Sequence, residues 1–327
     1  MDAVEAKVEK FNEKMQQVRD EIKKAMVGQE EVVNSTLKSV ICNSHVLFEA
    51  VPGLAKTTLV RLMSSTIKGA EFHRIQFTPD LLPTDITGTT VYEEQRGFYT
   101  IKGPIFANFV LADEINRAPP KVQAAMLQAM EERKVTIGRD TFTLPAPFCV
   151  LATQNPLEQA GVYPLALAQI DRFLFKVFVD YPRQEDEVNI IDSNIDVKSI
   201  ADFGIEPVIS TQEILDIQAL VRKITISEEV KQYIMELVDA TRHPDVYGIK
   251  GSEYVSWGAS PRATIFLGLA AKATAVMNSR TFVMPEDVRA VTHEVLRHRI
   301  MLNYEGKAKG VGTDQIVDAI VNKVPVI

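Results

Sequence analysis

The spacing of apolar residues predicts helices at the start of the chain. From Val4 to Ile22 they recur at alternating intervals of four and three within a charged background, which indicates an amphipathic helix over residues 3–26. A break at 27–31 separates it from a second predicted helix that begins near Val32. The first helix is too short to indicate a coiled coil, so we expect it to pack on the domain that follows.

Short β-favouring runs come next, and helical patterns lie between them. Several of these runs are continuously apolar, as the strands of a buried parallel sheet are. The predicted strands are 44–48, 71–77, 109–114, 148–153 and 174–179. Two hairpins are predicted beside them, at 89–101 and 136–142, and the proline-flanked stretch 78–88 is predicted to be a loop or a short helix. This alternation of strand and helix is typical of an α/β fold.

After Pro182 every clear pattern is helical. The signals that start these helices are the capping box Ser210-Thr211-Gln212-Glu213, Ser227, the pair Ser260-Pro261, and Pro285. The sequence therefore predicts three segments. They are an α/β domain with its N-terminal helix over 1–182, a helical linker over 183–209 and a helical domain over 210–327.

The charge balance narrows the classes of function. Lys and Arg number 36 and Asp and Glu number 43 in 327 residues, which gives a net charge of −7 and argues against nucleic acid as the main partner. Cys42 and Cys149 stand beside apolar residues, so we expect buried, reduced thiols. The start of the chain lacks the pattern of a signal peptide, and no apolar run approaches the length of a transmembrane segment. We therefore expect a cytoplasmic protein without a membrane span.

One stretch, Glu49 to Thr58, has the context of a phosphate-binding loop. It lies between a predicted strand and a predicted helix, so the N–H groups and the dipole of that helix would face a bound phosphate. Lys56 would reach the β- and γ-phosphates, and Thr57 would hold Mg²⁺. The usual motif has glycine where Ala50 and Ala55 stand, so a strict motif search would miss this site.

Polar side chains end two of the predicted strands. Asp113 could bind Mg²⁺ or its waters, and Glu114 could orient and deprotonate an attacking water; the alternative is a pair of solvated carboxylates. Asn155 is placed to hold the γ-phosphate or the same water, unless it is only the turn residue before Pro156. An upstream phosphate loop favours the catalytic interpretation.

Two arginines and one turn complete the candidate site. Arg172 could act as an arginine finger or could pair with Asp171. Arg262 lies in the first turn of a predicted helix, where the dipole disfavours a cation, so it either binds an anion or faces solvent. Gly28 and Gln29 could lie against an adenine or form a plain turn between helices.

Together, in this order and spacing, these blocks resemble the MoxR family of AAA+ ATPases, which includes the NorQ and CbbQ type activators and is related to magnesium chelatase. The resemblance covers nearly the whole chain. The blocks that carry it are Val27-Gly28-Gln29, Gly53-Leu54-Ala55-Lys56-Thr57, Leu111-Ala112-Asp113-Glu114-Ile115-Asn116-Arg117-Ala118-Pro119-Pro120-Lys121, Ala152-Thr153-Gln154-Asn155-Pro156, Asp171-Arg172-Phe173 and Ala259-Ser260-Pro261-Arg262-Ala263.

The resemblance implies an α/β fold, a P-loop αβα AAA+ nucleotide-binding domain with a C-terminal all-helical lid domain, in a homo-oligomeric ring that is commonly a hexamer. It implies ATP and Mg²⁺ as cofactors, with Thr57 and Asp113 on the metal. Glu114, Asn155, Arg172 and Arg262 become the Walker B glutamate, sensor 1, the arginine finger and sensor 2. The implied nucleotide-binding residues are Gly28, Gln29, Pro52, Gly53, Leu54, Ala55, Lys56, Thr57, Thr58 and Asp113.

Two positions depart from the family pattern. Members usually have glycine where Ala50 stands, and a Pro-Glu pair where Ala166 and Leu167 stand. The first departure adds a methyl group near the phosphates. The second removes a carboxylate near the surface at which subunits of a ring would meet. Ala55 is a common variant in the family.

The leading hypothesis is an ATP-hydrolysing, chaperone-like remodeller that assists maturation or activation of a partner protein, for example by metal or cofactor insertion. In this family the partner is often a protein with a von Willebrand A domain. Segments 78–101 and 134–143 would carry ATP-driven motion to it. One alternative is an ATP-binding assembly scaffold with little turnover; another is a DNA-translocating relative, for which Lys134 and Arg139 give thin support. The sequence does not name the client.

Overall fold

The structure is a computed structural model that describes residues 3–50, 56–156, 161–181, 183–186 and 200–326. Its chain divides into two compact units. The sheet unit comprises Lys14–Leu165 and Val177–Asp216, and the helical unit comprises Met1–Glu13, Ala166–Lys176 and Ile217–Ile327.

The observed strands and helices lie close to the positions that the apolar pattern predicts. The strands are β1 (Val46–Ala50), β2 (Ile67–Lys68), β3 (Phe72–Gln76), β4 (Gly88–Glu93), β5 (Gly97–Lys102), β6 (Phe109–Asp113), β7 (Lys134–Ile137), β8 (Asp140–Thr143), β9 (Cys149–Gln154), β10 (Phe175–Val179), β11 (Ile209–Ser210), β12 (Val255–Trp257) and β13 (Met301–Leu302). The α-helices are α1 (Ala3–Lys23), α2 (Glu30–Ile41), α3 (Lys56–Ser65), α4 (Pro83–Thr87), α5 (Pro120–Glu132), α6 (Leu167–Ile170), α7 (Thr211–Lys223), α8 (Glu228–Arg242), α9 (Pro261–Met277), α10 (Pro285–Leu296), α11 (Tyr304–Ala308) and α12 (Thr313–Lys323).

A five-stranded sheet in the order β10-β1-β9-β6-β3 forms the centre of the sheet unit. The pairs β1 with β9, β9 with β6 and β6 with β3 are parallel. Phe109, Val110, Leu111 and Ala112 of β6 are all fully buried, because this strand has neighbours on both sides and helices cover a parallel sheet on both faces. The predicted α/β fold is confirmed, and the carboxyl ends of three adjacent strands lie side by side.

Two hairpins extend the sheet unit where the sequence predicts them. β4 pairs antiparallel with β5, and β7 pairs antiparallel with β8. Gly88 has a φ of +100°, and a Cβ there would lie 2.2 Å from the carbonyl oxygen of Ile101. Only glycine fits this position, because a side chain would collide with the backbone of the paired strand. The proline-flanked segment before the hairpin contains the short helix α4.

Capping side chains start the later helices at the predicted residues. The Ser210 and Glu213 side chains bond each other's backbone N–H groups ahead of α7, which is the geometry of a capping box. Ser227 and Ser260 cap α8 and α9. The prediction of an all-helical second part is wrong in one detail, because β12 and β13 form an antiparallel pair. Strands of two or three residues are too short to produce a period-two pattern.

The predicted segment bounds at 182/183 and 209/210 stay a prediction, and much of the predicted linker lies outside the described residues. The helices of the described residues include none that is long and apolar enough to cross a membrane. Cys42 and Cys149 are buried and form no disulfide. Burial raises the pKa of the Cys149 thiol to about 12, so it stays protonated at neutral pH.

His45, at the start of β1, is a buried histidine held in its neutral form. Its Nδ1 accepts a hydrogen bond of 2.9 Å from the backbone N–H of Val150, so its Nε2 carries the proton and donates to the Met130 carbonyl at 3.2 Å. Burial lowers the pKa of His45 well below its usual value, and the nearby Arg133 charge lowers it further. A second proton would bring an Nδ1–H against the Val150 N–H.

We expect the protein to lose stability as the pH falls from about 7.5 to about 5.5. The unfolded chain takes up a proton on His45 near pH 6.5 while the folded chain resists it, so this residue alone costs about 1.4 kcal/mol at pH 5.5. Burial lowers the pKa of His298 in the same direction. Urea unfolding of wild type and His45→Gln at both pH values checks this. The variant should be less stable at pH 7.5 but should show a shallower pH dependence.

The exposed His73 supplies the control. His73→Gln should keep the wild-type slope. If His45→Gln also keeps it, neutral burial of His45 is not the source of the pH dependence.

Candidate functional site

The carboxyl ends of β3, β6 and β9 bring the candidate polar residues to one edge of the sheet. Gln76 lies beside Asp113 in the register of β3 and β6, and Ala112 lies beside Ala152 in that of β6 and β9. Asn155 directly follows β9 and is buried. The two predicted strand ends are thus neighbours, as the predicted site requires.

Asp113 is a nearly buried carboxylate with a partner on each oxygen. Oδ1 accepts a hydrogen bond of 2.7 Å from the Thr153 hydroxyl. Oδ2 accepts two bonds from the Arg74 guanidinium, at 2.6 Å from Nη2 and 3.1 Å from Nε. A cation therefore already occupies the outer side of this carboxylate, which shows that positive charge fits there.

Glu114 adopts an unusual backbone conformation. Its φ of 57° and ψ of 49° lie in the left-handed region, which costs about 1–2 kcal/mol for a residue other than glycine. Its N–H donates to the Thr153 hydroxyl at 2.8 Å. Its Oε2 accepts from Gln76 Nε2 at 2.8 Å and from Arg117 Nη1 at 3.1 Å. The chain turns sharply here, and its side chain is fixed at the sheet edge beside Asp113.

The residues that position these carboxylates are Arg74, Gln76, Arg117 and Thr153, and sequence reasoning did not assign them a role. A signal existed for two of them. Arg74 and Gln76 are two residues apart on a predicted strand, so their side chains share one face of it. The sequence did not show that this strand lies next to β6, and that neighbourhood is what gives the two side chains their function.

The predicted phosphate loop falls partly outside the described residues, because 51–55 are not among them. The structure describes the strand before this loop and the helix after it. Ala50 ends β1 as a buried residue, and α3 begins at Lys56 with Thr57 and Thr58 in its first turn. Ala50 was expected in the loop, but it lies in the strand, and its φ is not positive. Its backbone therefore has no need of glycine.

Gly28 and Gln29 form the turn between α1 and α2 and also line a cavity of about 660 Å³. Gln29 Nε2 donates to the Asp180 carbonyl at 3.0 Å. Gly28 has a φ of +76°, and a Cβ there would approach the Asp186 carboxylate to 2.8 Å. The cavity is large enough for an adenine ring, and Phe178 lies in its wall.

The two candidate arginines belong to the helical unit. Arg262 lies in the first turn of α9, and its Nη1 is 3.9 Å from Asp171 Oδ2. Arg172 follows Asp171 directly. The stronger partners of the Asp171 carboxylate are the buried Arg299, at 2.8 Å, and the Ser260 hydroxyl, at 2.8 Å. No motif in the sequence singles out Arg299.

The side chains at the sheet edge suit a Mg²⁺ nucleotide. The Asp113 carboxylate and the Thr57 hydroxyl are oxygen ligands of the kind Mg²⁺ prefers. Asn116 Oδ1 is buried and accepts no hydrogen bond from the described residues, so this edge has an acceptor to spare for a water or a ligand. The first turn of α3 adds backbone N–H groups that have no partner within the helix and that favour an anion.

A parallel α/β sheet with this strand-to-helix frame and these polar strand ends defines a P-loop nucleotide-binding protein. Residues 45–175 match the model of the ATPase family associated with various cellular activities (AAA), and residues 251–320 match the AAA lid domain.

Comparison with similar proteins identifies one family within this class of nucleotide-binding proteins. Chaperone MoxR1 of Mycobacterium tuberculosis is 43% identical over 311 residues, which cover 93% of this chain and 80% of that protein. Protein MoxR of Paracoccus denitrificans is 31% identical over 318 residues, with 92% and 93% covered. The crystal structure of a candidate ATPase from Cytophaga hutchinsonii matches with a TM-score of 0.91 and 45% identity over 99% of this chain and 98% of that one. The chain belongs to the MoxR family of AAA+ ATPases.

We expect Thr153→Val to destabilise the sheet unit by about 1–3 kcal/mol. The valine has the same shape, but it leaves the Glu114 N–H without its acceptor and Asp113 Oδ1 without its donor. Urea unfolding measures the loss. Thr141 on β8 is exposed, so Thr141→Val should change stability by no more than about 0.5 kcal/mol. Equal effects of the two changes would contradict a special role for the Thr153 hydroxyl.

Proposed function

We propose that this protein is a Mg²⁺-dependent ATPase and uses ATP hydrolysis as a chaperone-like remodeller of a partner protein. The observation that carries the proposal is the edge where Asp113 and Glu114 end β6, with Asn155 at the end of the adjacent strand. The start of α3 supports it. The buried strand β1 ends at Ala50 and α3 begins at Lys56, and a P-loop protein binds phosphate at the N-terminus of the helix that follows such a strand.

In this proposal the phosphate groups lie at the start of α3, with Lys56 as their cation and with residues 52–58 around them. Thr57 and Asp113 hold Mg²⁺, which neutralises developing charge on the phosphates when it is bound. Arg74 has to leave Asp113 Oδ2 for that to happen. Because Arg74 lies on an edge strand and is half exposed, its side chain has room to turn away. Gly28 and Gln29 are assigned to the adenine.

Glu114 is the proposed general base. Among the residues that the structure describes, Gln76 and Arg117 both donate their hydrogen bonds to Oε2, so we assign Oε1 to the water. The left-handed backbone fixes the direction of the side chain before any substrate arrives, which reduces the reorganisation needed during reaction. Asn155 would orient the same water or the γ-phosphate.

Arg172 and Arg262 are assigned to the neighbouring subunit's nucleotide and to the chain's own nucleotide. This assignment follows from the family and requires a ring, which we propose to be a hexamer. We also propose that the ATPase core spans 1–182 and the lid 210–327. A free monomer would lack the finger that reaches its own nucleotide and should therefore hydrolyse ATP slowly.

The two hairpins are the proposed contact to the client. The Tyr92 and Phe98 rings on β4 and β5 are exposed and lie 5.1 Å apart, so they present an apolar face to solvent. The two hairpins also contact each other, since Lys102 lies over the Phe142 ring and Gly138 faces Thr90. They can therefore move as one body. A protein with a von Willebrand A domain, matured or activated by metal or cofactor insertion, is the proposed kind of client.

An ATP-binding scaffold with little turnover is the second candidate. The observation that favours it is the Arg74 ion pair, which must break before Asp113 can hold a metal ion. Ala50 no longer counts strongly for it, because this residue ends a strand and its backbone does not require glycine.

We expect Glu114→Gln to reduce steady-state ATP hydrolysis at least about 100-fold, because it removes the general base. The variant should still bind a fluorescent ATP analogue. Glu94 is exposed in the turn of the first hairpin, so Glu94→Gln is the matched control and should keep the wild-type rate. A wild type that binds ATP but hydrolyses it no faster than Glu114→Gln would establish the scaffold instead.

Mixing two inactive variants tests the role of Arg172. Arg172→Ala subunits keep an intact site but lack the finger, and Glu114→Gln subunits keep the finger but lack the base. If the finger acts between subunits, the mixture should hydrolyse ATP at least about tenfold faster than either variant alone. The rate of the wild type should also rise with protein concentration. A concentration-independent rate with no rescue on mixing would rule out the inter-subunit role.

A further inference from the structure

The turn that carries Arg172 is held by a buried arginine from a distant part of the sequence. Arg299 is 1% exposed, and its Nε donates to Asp171 Oδ1 at 2.8 Å. Its Nη2 donates to the backbone carbonyls of Asp171 and Phe173, at 3.0 and 2.7 Å. These two carbonyls stand immediately before and after Arg172. One guanidinium thus fixes the backbone on both sides of the proposed finger.

The charge on Arg299 is retained despite its burial. Desolvation lowers the pKa of Arg299 to about 10, which leaves it cationic at neutral pH, and the Asp171 carboxylate opposes this decrease. His298 is buried as a neutral imidazole, and its Nε2 lies 2.7 Å from Arg299 Nη1 and 3.2 Å from the Phe173 carbonyl oxygen. A buried ion pair of this kind costs desolvation energy. The pair nevertheless has one defined geometry, because the five N–H donors of the guanidinium are fixed in one plane.

The other oxygen of Asp171 faces the helix that carries Arg262. The Ser260 hydroxyl, which also accepts the Arg262 N–H as the cap of α9, donates to Asp171 Oδ2 at 2.8 Å. Arg262 Nη1 lies 3.9 Å from the same oxygen. One turn further along α9, the Phe266 ring packs against the Arg299 guanidinium at 5.0 Å. The first turns of α9 therefore contact both members of the Asp171–Arg299 pair.

We propose that Asp171 is a positioning residue that ties Arg172 to the helix bearing Arg262, with Arg299 as its anchor. The inference rests on the proposed function, since it gives the two arginines their assigned roles. A shift of Arg262 when nucleotide binds changes the partners of Asp171 Oδ2, and the bonds of Arg299 transmit that change to the carbonyls around Arg172. Nucleotide binding in one subunit thereby changes the position of the Arg172 side chain that reaches the next subunit.

A double-mutant cycle tests the positioning role. Asp171→Asn should lower kcat at least about tenfold in the wild-type background, because small misplacements of a catalytic group are costly. In the Arg172→Ala background the same change should lower kcat less than about twofold, since the group it positions is already gone. Arg299→Lys should follow the same pattern, because a lysine cannot bond all three oxygen atoms around Arg172. Nucleotide affinity should change little in each variant.

Asp287→Asn is the matched control. Asp287 is 1% exposed in the helical unit and is paired with Arg280, so its loss disturbs a comparable buried ion pair. Any effect of Asp287→Asn on kcat should be equal in both backgrounds. If Asp171→Asn behaves like Asp287→Asn, its role is structural only and the inference is overturned.

Hydrogen exchange gives a readout that needs no hydrolysis. With a non-hydrolysable ATP analogue and Mg²⁺ added, exchange in residues 166–176 should change in the wild type, and this change should disappear in Asp171→Asn and in Ser260→Ala. An unchanged response in both variants would overturn the coupling. A wild type without ATPase activity, or an Arg172→Ala variant with full activity, would instead refute the proposed function, and the exchange response would still decide whether Asp171 links the two segments.

Discussion

The parallel pairing of β6 with β9 on one side and β3 on the other is the constraint on which the rest of the site depends. It places Asp113 at a strand end, brings Thr153 within hydrogen-bond reach and sets Gln76 alongside. A slip of one residue in either pair would separate these side chains, because it would turn every side chain of the slipped strand to the opposite face. The register therefore fixes the geometry of residues that are themselves polar.

The Thr153 hydroxyl joins the two acidic residues through that geometry. It donates to Asp113 and accepts from the Glu114 N–H, so one side chain satisfies a carboxylate and stabilises a strained backbone. The left-handed conformation of Glu114 persists because the residues around it leave no better place for its N–H. Strain at this position is compatible with a catalytic role, since a preorganised base requires the surrounding protein to determine its direction.

The sequence predicted the elements well because their periods are local properties. The hydrophobic run at 109–114 and the serine caps of α8 and α9 required no knowledge of the rest of the fold. Arg74 and Arg299 could not be found in this way. Arg74 gains its role only from the strand order, and Arg299 contacts a residue 128 positions away through backbone carbonyls that carry no sequence signal. The pair of β12 and β13 could not be found for a different reason, since strands of two or three residues are too short to produce a period-two pattern.

In the sequence Ala50 is a clear departure from the phosphate-loop motif. In the structure this departure has little consequence. A motif assigns glycine to that position because related loops need its φ or its lack of a side chain. Here the residue closes β1 with strand geometry, and its methyl group is buried. A limit on the rate of ATP hydrolysis is then better sought at Arg74, whose charge must move in the proposed function. Arg74 bonds Asp113 Oδ2, and if Asp113 holds the metal ion through that oxygen, as we propose, the ion's attraction to Asp113 has to exceed that of a guanidinium bonded through two nitrogens.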